Sequence, residues 1–251
     1  MKILFNLGPG DESLHLDYVW RLEVSDLGRL REHFIPEPYF DYLWAETGGL
    51  DWRPLDQENW HPVPNQALKS LFSGPIELQF RTPLILWGAR FNLAFAETRE
   101  DGLEDVRGFA RQDWWNAEAP DLASFAHQMT PAMVSKSAAT RILNAQLSIT
   151  PEFSRYSARH QRRQFRKTFG ISRQDLERIL NVQAFLAQTC DFGSENPRII
   201  DYVNDAVFYD QPHLNRTFKR MTGLSPLEYF ERQSLLQDNL MAASYNVNRE
   251  Q

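Results

Sequence analysis

A stretch of twenty residues is repeated in outline near the carboxyl end of this chain. Ser157 to Leu176 (SARHQRRQFRKTFGISRQDL) lies without gaps over Asp210 to Tyr229 (DQPHLNRTFKRMTGLSPLEY) at an offset of 53. His160 and His213, Arg163 and Arg216, Phe165 and Phe218, Gly170 and Gly223, and Ser172 and Ser225 are identical pairs. Ser157 with Asp210, Arg166 with Lys219, Lys167 with Arg220, Ile171 with Leu224, and Asp175 with Glu228 agree in chemistry.

Each matched position has a mechanical job. Ser157 and Asp210 are N-cap residues, whose side-chain oxygens accept from the free amides of a first helical turn, and Pro212 is tolerated in that turn because its missing N–H would be unpaired there. Gly170 and Gly223 stop the helices, because glycine adopts the left-handed C-terminal conformation without steric cost. Ser172-x-x-Asp175 and Ser225-Pro226-x-Glu228 are capping signals that start a further helix at once. Leu176, Ile179, Leu180, Ala184 and Ala187 trace one apolar stripe, which predicts a connecting helix from Arg173 to about Gln188. Arg198 to about Ala206 predicts another helix before Asp210, so the unit is helix, tight turn, helix, used twice.

The polar faces point to a polyanion. Arg159, Arg162, Arg163 and Arg166 share one side of the first short helix, away from Phe165 and Phe169. Pro212, Asn215, Arg216 and Lys219 repeat that spacing on the second, away from Leu214, Phe218 and Met221. Arginine forks take a guanine edge or a phosphate, and asparagine pairs with an adenine edge. An ordinary solvated helix face is the bland alternative. Against it stands the charge distribution: residues 151–251 carry 14 Lys and Arg against 12 Asp and Glu, while residues 1–150 carry 13 against 21. The cations are concentrated on the duplicated helices of an otherwise acidic chain.

The run from Asp210 to Tyr229 resembles the signature of AraC/XylS-type transcriptional regulators, because it joins recognition helix, glycine stop and Ser-Pro helix start. The resemblance covers roughly residues 135–235. It implies two helix-turn-helix units, bridged by a linker helix, that insert two recognition helices into successive major grooves of double-stranded DNA. Base-reading positions would be Arg159, Arg162 and Arg163 in the first unit and Pro212, Asn215 and Arg216 in the second. Lys167 and Lys219 would be phosphate contacts, and Arg166 belongs to the same basic face. Gln161 stands where the family places a buried leucine, Val207 where it places a turn glycine, and Phe230 where arginine is common. Ile149 to Ser157 is about a turn shorter than usual.

The amino-terminal half reads differently. All seven tryptophans lie before residue 116. Ile76 to Phe80 and Leu84 to Trp87, bounded by Gly74-Pro75, Pro83 and Gly88, read as short apolar strands. From Leu122 onward Leu122, Phe125, Ala126 and Met129 take a helical spacing. Phe34 to Trp44 (FIPEPYFDYLW), Gly74-Pro75 and Gly88 to Phe91 resemble, in their order, the small β-barrel sensor domain of a subset of these regulators. The expected fold is α+β: a cupin-like barrel in residues 1–120 for sensing or dimerisation, a helical connector in 121–148, and a double helix-turn-helix domain in 149–251.

Trp20, Trp44, Trp87 and Arg90 are the candidate lining of a small-molecule effector pocket, since such pockets are mostly apolar with a few orienting polar groups. Plain core for the tryptophans and a structural salt bridge for Arg90 are the alternatives. No enzyme is expected: there is no Gly-x-Ser-x-Gly elbow, no phosphate-binding glycine loop and no His-Glu-x-x-His helix. His15, His33 and His61 are isolated and Cys190 is alone, so neither metal nor other cofactor is expected. With no signal-peptide core at the start and no apolar run near the roughly 20 residues of a membrane span, a cytoplasmic location without membrane partners is expected. RNA polymerase is a plausible further partner, and a homodimer is compatible with two reading heads but not required by them. A regulator-derived protein-interaction module with weak or lost DNA binding is the alternative function.

Overall fold

The computed structural model describes residues 3–11, 15–98, 103, 106, 108–112, 121–133, 157–189, 210–230 and 240. The amino-terminal part is antiparallel sheet: β1 (Ile3–Asp11), β2 (Leu16–Phe34), β3 (Phe40–Pro54), β4 (His61–Pro62), β5 (Gln66–Lys69), β6 (Ile76–Phe91) and β7 (Phe109–Arg111). The strands are ordered β1-β2-β6-β3-β5-β7, with β4 paired to β3. The helices are α1 (Leu122–Met133), α2 (Ala158–Phe169), α3 (Arg173–Thr189), α4 (Gln211–Thr222) and α5 (Pro226–Phe230). The architecture is α+β.

The two strand segments expected on either side of Pro83 are one strand. β6 runs through Pro83 and Gly88 without a break. The pairing of β2 with β6 shifts register between Val24 and Gly28, opposite Leu84 and Thr82. An irregularity of this kind is where a ladder accommodates a proline that cannot donate. Gly88 is not a terminator either: a Cβ there would come within 2.0 Å of the Trp20 ring. The indole occupies the place of that Cβ, and only a residue without a side chain leaves room for it.

Strand alternation divides the apolar residues between two faces. Tyr18, Trp20, Leu22 and Val24 of β2, Leu43 and Ala45 of β3, and Leu78, Phe80, Leu84 and Leu86 of β6 form one buried cluster with Val63, Phe109 and Leu240. Trp20 of β2 and Phe109 of β7, near opposite ends of the strand order, meet in this one cluster, so the sheet curls around its own side chains. Val19, Phe40, Tyr42, Trp44, Trp87, Ala89 and Phe91 point the other way and join Phe125 and Met129 of α1.

That second cluster continues into the carboxyl-terminal helices through Phe169, Leu176, Ile179, Val182, Phe185, Leu186, Leu214, Phe218 and Met221. A fully buried aliphatic or aromatic side chain stabilises by roughly 1.5–3 kcal/mol, so this shared cluster docks the helices firmly on the sheet. On α3 the buried face differs from the predicted stripe. Leu176 and Ile179 are buried as expected, but Val182, Gln183, Phe185 and Leu186 continue the buried side while Ala184 is exposed. The larger side chains, which gain more from burial than alanine, decide which side turns inward.

Candidate nucleic-acid interface

The repeat in the sequence is a repeat in hydrogen bonds. Ser157 Oγ accepts from the His160 amide over 3.4 Å, and Asp210 Oδ1 accepts from the His213 amide over 2.6 Å. Gly170 stands at φ 77° and donates its amide to the Arg166 carbonyl, while Gly223 stands at φ 76° and donates to the Lys219 carbonyl, both over 2.8 Å. Every one of these pairs is related by the same offset of 53. The following helices are capped as the spacing predicts. The Asp175 amide donates to Ser172 Oγ over 3.1 Å, and the Ser225 amide donates to Glu228 Oε2 over 2.7 Å.

Both helices turn their cations outward. Arg159, Arg162, Arg163, Arg166 and Lys167 are exposed on α2, and Pro212, Asn215, Arg216, Lys219 and Arg220 are exposed on α4. Leu214, Phe218 and Met221 are buried beneath α4, with Phe218 edge-on to Phe185 of α3 at 5.8 Å. Phe169 is the buried anchor of α2. Gln161, at the repeat position of Leu214, is half-buried, so its amide avoids the desolvation cost of a full core position.

Pairing separates the cations into two groups. Arg173, Arg178 and Arg220 lie beside the carboxylates of Asp175 or Glu177. Among the described residues, Arg159, Arg162, Arg163, Arg166, Lys167, Arg216 and Lys219 have no carboxylate partner. Arg162 instead donates from Nε to the Ala158 carbonyl of its own helix over 3.2 Å. Charges left uncompensated on a surface raise the local potential and attract a polyanion, whereas paired ones largely cancel. Apart from Lys167, the unpaired set lies on the two repeated stripes. The helices expected before α2 and α4, together with Val207, Cys190 and the side chain of Phe230, lie outside the described residues.

No protein-family model matches the chain, and no curated protein matches it. The likeness among solved structures is to ToxT of Vibrio cholerae. One ToxT structure shares 11% identity over 91% of this chain and 98% of its own, with a TM-score of 0.40. A second shares 11% over 90% and 96%, with a TM-score of 0.44. A third, bound to an unsaturated fatty acid, shares 9% over 90% and 94%, with a TM-score of 0.40. These values assign no role to any residue of this chain.

The four residues expected to line one effector pocket are not brought together. Trp20 belongs to the face enclosed by the sheet, whereas Trp44 and Trp87 stack on each other at 5.8 Å on the opposite face, beneath the helices. Trp87 also donates from Nε1 to Glu46 over 2.7 Å and meets Phe125 at 5.5 Å. Arg90 is fully buried and forked onto Asp41, with Glu37 on its Nη2 at 2.7 Å. Lys69 Nζ completes the cluster at 2.7 Å from Asp41. Two cations meet two carboxylates, with Asp17 near enough to interact with Arg90 and Asp41, so no positive charge is left over for an anionic ligand.

Inside the curled sheet there is a cavity of about 10 Å³, bordered by Trp20, Phe34, Leu43, Leu50, Leu78, Phe109, Leu240, Asp41 and Lys69. That is room for one water molecule. The Trp20 indole N–H is the one buried side-chain polar atom among the described residues without a hydrogen-bond partner. Glu37, Asp41 and Lys69 are the residues that sequence reasoning passes over. Their signal is weak, because Glu37 lies before β3, Asp41 on β3 and Lys69 at the end of β5, although Asp41 faces Arg90 directly in the ladder. Among the described residues no group of three or more His, Cys, Asp or Glu is gathered to hold a metal, and no described helix is long and apolar enough to cross a membrane.

Proposed function

We propose that this chain is a sequence-specific, DNA-binding transcription regulator of the AraC/XylS type. The observation that carries the reading is the duplicated, identically capped pair α2 and α4, each presenting an exposed stripe of cations that no described carboxylate neutralises. α2 and α4 are the recognition helices of two helix-turn-helix units, α3 is the linker between them, and the curled sheet is a barrel-like regulatory domain. Each recognition helix lies in a major groove with its first turns toward base edges.

In this arrangement Arg159, Arg162 and Arg163 face the bases of one half-site, and Pro212, Asn215 and Arg216 face those of the other. Arg166, Lys167 and Lys219 hold the phosphates, which set register without reading sequence. Placement of both heads on one DNA face puts the half-sites about 10 base pairs apart. The protein works in the cytoplasm, where it meets RNA polymerase at the promoter. The cavity beside Trp20, at about 10 Å³, holds no organic molecule, so an effector that acts through the amino-terminal half widens it or binds elsewhere.

Selection of sites from random duplexes by the full-length protein, followed by footprinting, tests the reading. A common bipartite site protected on one face is the expected result. Recovery of unrelated sequences, or affinity that does not fall steeply with salt, would favour the protein-interaction alternative, because phosphate contacts release counterions on binding.

A further inference from the structure

The ends of the two repeated helices are held by the sheet domain as well as by α3 between them. An α-helix leaves its last carbonyls without intrahelical partners, and whatever donates to them fixes where the helix end lies. On α2, the Lys167 carbonyl accepts from the Leu103 amide over 2.7 Å. On α4, the Thr222 carbonyl meets Nε2 of His33, and because a carbonyl only accepts, that nitrogen carries the proton. The buried Gln183 of α3 donates from Nε2 to the Pro36 carbonyl over 2.8 Å. His33 lies at the end of β2 and Pro36 just beyond it, so one segment of the sheet domain grips both the linker helix and the second reading helix.

The C-cap glycines belong to the same contacts. A Cβ at Gly170 would stand 2.9 Å from the Leu103 carbonyl oxygen, and one at Gly223 would stand 2.6 Å from Leu55 and 3.5 Å from the His33 ring. Both copies of the repeat thus approach the sheet domain at the same internal position, from different strands and connections. An apolar contact alone would let the helices slide, because burial has no direction. Hydrogen bonds weaken steeply as they bend or stretch, so these three donors define position.

We propose that the sheet domain is the ruler that sets the relative placement of α2 and α4, with His33 and Gln183 as its positioning residues. The proposal rests on the DNA-reading function of these helices and adds what fixes the spacing they accept. Neither residue faces the DNA in that reading: Gln183 is buried under α3, and His33 is half-buried behind the C-terminus of α4. Their removal leaves each head intact and loosens the distance between them.

The experiment uses the full-length protein and a set of duplexes carrying the selected bipartite site with its spacer shortened or lengthened by one to three base pairs. The wild-type protein discriminates sharply between spacers. In His33→Ala the ratio of affinities for the best and the altered spacers falls about fivefold to tenfold, the effect of one lost positioning hydrogen bond. His33→Gln, whose side-chain amide can donate to the same carbonyl, restores discrimination. Gln183→Met, similar in shape but without the donor, gives a second flattened profile and keeps the test open should His33→Ala fail to fold. An unchanged spacer profile in the folded variants, or an equal loss at every spacer, would overturn the ruler while leaving DNA reading in place. A wild-type protein that selects no common site would remove both.

Discussion

Arg90 and Asp41 face each other across the ladder between β6 and β3 as a closed fork. Nε donates to Oδ1 over 2.7 Å and Nη2 donates to Oδ2 over 3.0 Å, with the guanidinium fully buried. Lys69 approaches the same carboxylate and Glu37 the same guanidinium, so each ion has a second opposite neighbour. Truncating one member of a buried pair leaves an uncompensated charge and costs about 3–5 kcal/mol, while replacing both by apolar groups is often close to neutral. Arg90→Met alone is therefore expected to lower unfolding free energy by about that amount, and Arg90→Met with Asp41→Leu to recover most of it, because Lys69 and Glu37 still balance. Urea denaturation of the three proteins checks this; a double variant as weak as the single one would contradict the pairwise account.

The same cluster makes acid stability depend on Asp41. Burial opposes its ionisation, but attraction to Arg90 and Lys69, with their hydrogen bonds, outweighs that and holds the carboxyl at about 2 against its ordinary 3.8. A carboxyl depressed in the folded state contributes stability that is complete above its unfolded value and is lost as pH falls through its folded one. The contribution is present at pH 5 and disappears between about pH 4 and pH 2. Urea midpoints measured from pH 5 to pH 2.5 should fall in the wild-type protein and fall less in Asp41→Asn, which starts lower. Parallel curves would assign the acid lability to other groups.

Gly170 and Gly223 have the same backbone conformation but different neighbours. Alanine at either position meets the left-handed penalty of roughly 1–2 kcal/mol. At Gly170 the added carbon also meets the backbone carbonyl of Leu103, whereas at Gly223 it meets first the end of the Leu55 side chain, itself exposed to solvent. A side-chain tip moves aside more cheaply than backbone. Gly170→Ala is thus expected to destabilise more than Gly223→Ala, by thermal or urea unfolding, and the reverse order would show that the sheet domain yields at Leu103.

Local signals made the repeated helices legible. A cap is a bond between residues three positions apart, so Ser157, Asp210 and the two glycines declare their roles in a short window. The sheet did not yield so readily, because which face a strand residue takes depends on register, and β2 changes register between Leu16 and Tyr18 and again between Val24 and Gly28. Trp20 and Trp87 look alike in sequence yet lie on opposite faces, because Trp20 pairs with Gly88 and Trp87 with Arg21, one step out of phase. Arg90 reads as an odd cation among apolar residues, the pattern of a ligand partner, until Asp41 and Glu37 are seen beside it. The contacts of His33 with Thr222 and Gln183 with Pro36 were beyond reach altogether, since they join residues 189 and 147 positions apart and leave no periodic trace.

The division between reading and holding residues on α4 gives the most direct test of the proposed interface. Arg216 and Lys219 are both exposed and both cationic, and they differ by less than a turn in position. Arginine's planar fork can take two acceptors of one guanine edge, whereas lysine's ammonium is a point charge suited to phosphate. Arg216→Ala is expected to cost about 1–3 kcal/mol on the preferred site and to relax selection at one base position. Lys219→Ala should weaken all sites similarly and reduce the salt dependence by about one phosphate contact. Arg163 and Arg166 occupy the equivalent positions on α2, so the same pair of effects is expected from Arg163→Ala and Arg166→Ala, now at the other half-site. Competition binding across a panel of single-base variants at several salt concentrations separates the two kinds of loss. If Arg216→Ala and Lys219→Ala both lost affinity without any change in base preference, the stripe on α4 would hold DNA without reading it, and specificity would have to arise from α2 or from the shape of the duplex.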